Sequence, residues 1–138
     1  MVGDDLPIES QNIGPEEQKG PEKTNGKDLR VVDPRGYTIS LQMETWERHI
    51  IVGHPEIHDM LDLVAETLSS PQVVMEQQQA LGSVCFYYRL TGRSFYRRND
   101  IYMSVVVDSD DANKVGVVKT AHLVKEIGKG TVIWMKRD

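Results

Sequence analysis

One cysteine, two phenylalanines and two tryptophans in 138 residues leave little material for covalent staples. Cys85 has no partner within the chain, which excludes an intramolecular disulfide framework and a cysteine-based metal site. It stands between Val84 and Phe86 in a strand-like run and reads as a buried, inert thiol. Long apolar runs are missing too, and none approaches the roughly 20 residues that a membrane-crossing helix requires. The N-terminus lacks the basic and then apolar pattern of a secretory signal. The expectation is a cytoplasmic protein that does not engage a membrane.

Strong charge of one sign is also absent. The formal net charge is −5, and most of it falls in residues 1–29, where seven acidic side chains face three lysines. The rest is nearly neutral, which excludes the broad basic field of a high-affinity, non-specific nucleic-acid binder. A local basic patch remains open. The only basic and aromatic cluster is Arg93, Phe95, Tyr96, Arg97 and Arg98.

What is present suits one domain, long enough to bury a core without staples. Residues 1–29 are rich in Gly, Pro, Glu, Lys, Gln and Asn and cannot offset their ordering entropy by burial. They are expected to form a disordered acidic tail before a domain at 30–138. Val31-Val32, the turn formers Asp33-Pro34-Arg35-Gly36, and Tyr37 to Leu41 predict two β-segments around a turn. Met43, Trp46 and Ile50 fall at helical spacing, with Gly53 suited to the residue just past the helix end.

His54 precedes Pro55 and is biased away from helical geometry, while Pro55 and Glu56 suit the first turn of a second helix. That helix carries Ile57, Met60, Leu61, Val64 and Leu68 on one face and ends near Pro71. Runs rich in Val, Ile, Tyr and Phe then predict strands at 73–75, 84–90, 101–108, 115–121 and 132–135. The expected fold is α+β, with N-terminal helices packed on one face of a curved antiparallel sheet of about four to five strands.

Several side chains carry chemistry. His49 follows Trp46 by three residues on one helical face, and an imidazole can move protons near neutral pH. His54 is a second candidate at the helix boundary, where a capping role competes. His58 lies four residues beyond His54, but no third ligand is spaced to complete a metal site, and a solvated histidine is the plainer reading. Alternation in the strand from Val84 puts Arg89 on the face of Tyr87 and Cys85, where a guanidinium could clamp a phosphate. A strand-end salt bridge is the competing reading.

In the strand from Val115, Thr120 shares a face with His122, and Lys119 can join them only through a bulge.

Taken in order, Trp46-Glu47-Arg48-His49-Ile50 with His54-Pro55-Glu56, Tyr87-Tyr88-Arg89, Val105-Val106-Val107, Lys119-Thr120-Ala121 and a closing Trp134 resemble one nuclease group. It is the phage-associated branch of the barnase, EndoU, colicin and RelE-like (BECR) superfamily, and the resemblance spans residues 33–134. It implies a metal-independent, cofactor-free endoribonuclease, toxin-like or used in conflict between phage and host. The substrate would be RNA, such as tRNA or mRNA, and an antitoxin or immunity protein would be a partner.

Carried over by motif, the catalytic residues would be His49, Arg89 and Thr120, with His54 secondary. Tyr87, Lys119, Arg93, Arg97 and Arg98 would hold substrate. The rival expectation is a non-catalytic RNA- or protein-binding module on the same fold, using the cluster from Arg93 to Arg98.

Overall fold

A hairpin opens the described chain, which comprises residues 28–79, 82–94 and 97–137 of a computed structural model. Strands β1 (Leu29–Val32) and β2 (Thr38–Leu41) pair antiparallel across a turn in which Gly36 adopts φ +91°, a conformation that suits a residue without Cβ. The expected acidic tail falls, up to residue 27, outside the described residues, as do Phe95 and Tyr96.

Three helical pieces follow. Helix α1 (Met43–Thr45) continues through a π-helical stretch, Trp46–Ile50, into α2 (Ile51–Gly53). The wide π turn buries both Trp46 and Ile50. His54 N–H still donates to Ile50 O at 2.8 Å, and the chain breaks there because Pro55 follows. The expected second helix is divided: Pro55–Ile57 forms one 3₁₀ turn, and α3 (Leu61–Ser69) starts afresh. Leu63, Val64, Thr67 and Leu68 turn inward from α3, while Asp62 and Glu66 stay in solvent.

Five strands complete the sheet: β3 (Val73–Gln79), β4 (Gly82–Leu90), β5 (Tyr102–Asp110), β6 (Val115–Val124) and β7 (Thr131–Met135). Their order is β1-β2-β6-β5-β4-β3-β7, antiparallel throughout except that β2 runs parallel to β6. This overturns the expected antiparallel sheet of four to five strands beneath N-terminal helices. The sheet is seven-stranded and mixed, two strands precede the helices, and helices are few. The β1–β2 hairpin, which reads locally as a small turn unit, joins the main sheet by pairing Thr38–Ser40 with Val115–Val117 far along the chain. Gln77 to Gln79, past the end of the strand predicted at 73–75, extend β3 toward solvent, where amide side chains cost little.

The helices cover one face. Ile39, Leu41, Val74, Tyr87, Met103, Val105, Val107, Val118 and Ala121 meet Trp46, Ile50, Ile57, Leu63, Val64 and Leu68 in the main core. Each fully buried aliphatic side chain contributes about 1.5–3 kcal/mol, which makes this contact the chief source of stability. Gly116 is needed at the parallel seam, where a Cβ would lie 2.7 Å from Val107 Cγ1 and 2.8 Å from Ile39 Cδ1.

The opposite face is crossed by the connection 125–130, which must pass β5, β4 and β3 to reach β7. This strap is fixed by Gly128 N–H donating to the Tyr88 hydroxyl at 3.2 Å, and it lies over a small cluster of Val73, Met75 and Tyr88.

Candidate functional site

The sheet register decides which candidate residues can meet. Val106 pairs with Thr120 and Ser104 with His122, so these four share the face that the helices leave open. Val105 pairs with Tyr87 and Met103 with Arg89, so Tyr87 and Arg89 belong to the helix-covered face. A bulge in the β5–β6 pairing, between Val106 and Val107, leaves Lys119 out of the ladder. That extra residue keeps Val118 and Ala121 both in the core while Thr120 and His122 point the other way.

Beyond the short β2, the helical segment lies along β6 and delivers His54 to His122. Their rings stack with centroids 5.0 Å apart and 18° between planes. Burial lowers the His122 pKa below the ordinary histidine value, His54 lowers it further, and Glu56 opposes both. His122 Nδ1 is buried without a hydrogen-bond partner among the described residues, so the other ring nitrogen is the one a ligand can reach. Glu56 places a carboxylate oxygen 3.7 Å from His54 Nδ1. Two imidazoles from separate parts of the chain, one kept neutral and the pair flanked by a hydroxyl residue, form an arrangement suited to moving protons at one ligand.

Comparison with protein-family models, curated proteins and solved structures finds no match to this chain.

The other sequence candidates are distributed elsewhere. His49 lies exposed in the π-helical stretch. Arg89 donates to Ser70 O at 2.6 Å and to Glu66 Oε2 at 3.1 Å, tying β4 to the end of α3. A phosphate touching Arg89 and Thr120 together would have to pass through the sheet. Tyr87 is fully buried. Lys119 lies 3.3 Å from Asp108 Oδ2, Arg93 3.7 Å from Asp62 Oδ2, and Arg98 2.7 Å from Asp100 Oδ2; Arg97 is exposed, with φ 65°. His58 Nδ1 lies 3.2 Å from Pro55 O.

One polar cluster has no counterpart in the sequence reading. Asp33, only 3% exposed, accepts N–H donation from Arg35 at 2.9 Å and Tyr37 at 2.8 Å through Oδ1. Its Oδ2 accepts from Arg35 Nε at 3.2 Å and from the Tyr87 hydroxyl. Arg35 also donates to Tyr87 at 3.0 Å and stacks over Tyr37, 4.1 Å from the ring centroid. Burial raises the Tyr87 pKa, and the bond to Asp33 adds to it. Burial opposes charge on Arg35, yet Tyr87 and Asp33 outweigh it and raise its pKa. With its partners paired among themselves, this cluster fastens the β1–β2 turn to β4. The only local signal is an Asp before Pro in a turn; Tyr87 is too distant in sequence to foresee.

Proposed function

We propose that the protein is a metal-independent endoribonuclease whose site is the open sheet face at His54, His122 and Thr120. The observation that carries this reading is the stacked pair of histidines beside a strand hydroxyl. RNA cleavage without a metal needs a base for the ribose 2′-hydroxyl and an acid for the departing 5′-oxygen. His122, kept neutral by burial, accepts the 2′-hydroxyl proton as that oxygen attacks the adjacent phosphorus. His54 donates a proton to the leaving oxygen, and Thr120 donates a hydrogen bond to a non-bridging oxygen. The products are a 2′,3′-cyclic phosphate and a 5′-hydroxyl.

The resemblance to BECR nucleases motivates the same activity, toxin-like and cytoplasmic, with an antitoxin or immunity protein as natural partner, but it puts the chemistry on His49 and Arg89, which lie away from this site. Among the described residues no helix is long and apolar enough to cross a membrane.

The test is incubation of purified protein with total RNA and defined tRNA in chelator, followed by sequencing of new ends. His54→Ala and His122→Ala are each expected to lower the cleavage rate by about 10²-fold or more with the fold retained. Loss only in His49→Ala would move the chemistry to the helix surface. Saturable binding without cleavage would favour the non-catalytic module.

A further inference from the structure

Beside the histidine pair the strap-crossed face carries aromatic rings, of which Tyr88 is buried and Phe86 partly exposed. Phe86 and Tyr88 project from β4 with centroids 6.4 Å apart and planes within 14°, and Tyr102 lies on the neighbouring strand of the same face. Phe86 aligns across the sheet with Val106 and Thr120, and Tyr88 with Ser104 and His122. Each of these rows spans two inter-strand steps, about 10 Å. That distance is comparable with the reach of one nucleotide from its base to a neighbouring phosphate. The strap leaves β6 after Val124 and reaches Tyr88 at Gly128, and it carries Lys125 and Lys129, both exposed, with Glu126 between them.

From this juxtaposition we infer that the substrate is single-stranded RNA, bound with one base stacked on Phe86 while its backbone lies toward Thr120 and His122. The inference rests on reading this face as an RNA site. Phe86 is partly exposed and packs against Val73, Met75 and Tyr88, and an unpaired base is the nucleic-acid group that can stack on such a ring. Bases within a duplex are already stacked and turn only their edges outward. Ring stacking accepts any base, and Lys125, just past the strand that carries Thr120 and His122, is the lysine placed to meet the backbone, so binding needs no base-specific donor set.

The experiment measures binding of a 2′-O-methyl RNA oligonucleotide, which cannot be cleaved by its own hydroxyl, as a single strand and as a hairpin duplex. Wild type is compared with Phe86→Leu, which keeps an apolar side chain against Met75 and Val106, and Phe86→Tyr, which keeps a ring. Tighter binding of the single strand, weakened about 5- to 100-fold by Phe86→Leu and retained by Phe86→Tyr, is expected. Equal or tighter binding of the duplex, indifference to Phe86→Leu, or no binding of either RNA overturns the inference. Phe86-dependent binding by a protein that leaves unmodified RNA intact would sink the ribonuclease reading alone. Cleavage indifferent to Phe86→Leu would sink only the stacking platform.

Discussion

His122 is the residue whose environment most constrains its chemistry. Burial and His54 lower its pKa, so between that lowered value and 6.5 the unfolded chain binds more protons than the folded one. Stability from this group is therefore fully present above pH 6.5 and is lost as pH falls through the folded value. Urea unfolding at pH 5.5 and 7.5 should show a smaller gap between the two conditions in His122→Phe than in wild type; an unchanged gap would contradict the burial argument. The Asp33 cluster makes a different demand. Tyr87→Phe removes one donor and one acceptor from a buried network and should cost about 1–3 kcal/mol. Asp33→Ala leaves the Arg35 guanidinium without its anion and should cost about 3–5 kcal/mol. Equal costs in the two variants would mean that the carboxylate matters only through its bond to Tyr87.

At the scale of elements, two glycines hold pieces together by having no side chain. Gly116→Ala would press a methyl group against the buried side chains of Val107 and Ile39 and should cost about 1–3 kcal/mol. Gly130→Ala is the harsher change, because its Cβ would lie 2.7 Å from the Glu76 carbonyl oxygen at φ +150°. It should destabilise more than Gly116→Ala in thermal unfolding; the reverse order would show that the strap relaxes freely. The five later strands and the inward faces of both helical regions were legible because Val, Ile and Leu recur at periods of two and about 3.6. The β1–β2 hairpin was legible as a turn, but its parallel partner was not, since Thr38–Ser40 carries no mark pointing to Val115–Val117. Thr120 and His122 could be put on one face by alternation alone. What alternation cannot give is the relative face of separate strands, so Arg89 and Thr120 were expected together and lie on opposite sides of the sheet.

On the scale of the whole molecule, the main core draws on β1, β2, the helical segment and the central strands at once. A chain starting at residue 42 loses the fully buried Ile39 and Leu41 and bares the β6 edge at Val115–Val117. It should show no cooperative urea transition, whereas removal of residues 1–27 should leave the transition in place. The parallel seam between β2 and β6 has a kinetic consequence. Its two strands come from opposite ends of the described chain, so much loop entropy must be lost before their contacts form, and refolding should take milliseconds to seconds despite the molecule's small size. During synthesis, neither that seam nor the stacking of His54 on His122 can form until β6 has left the ribosome. A chain that reads RNA with this face would thus be inert until β6 has emerged.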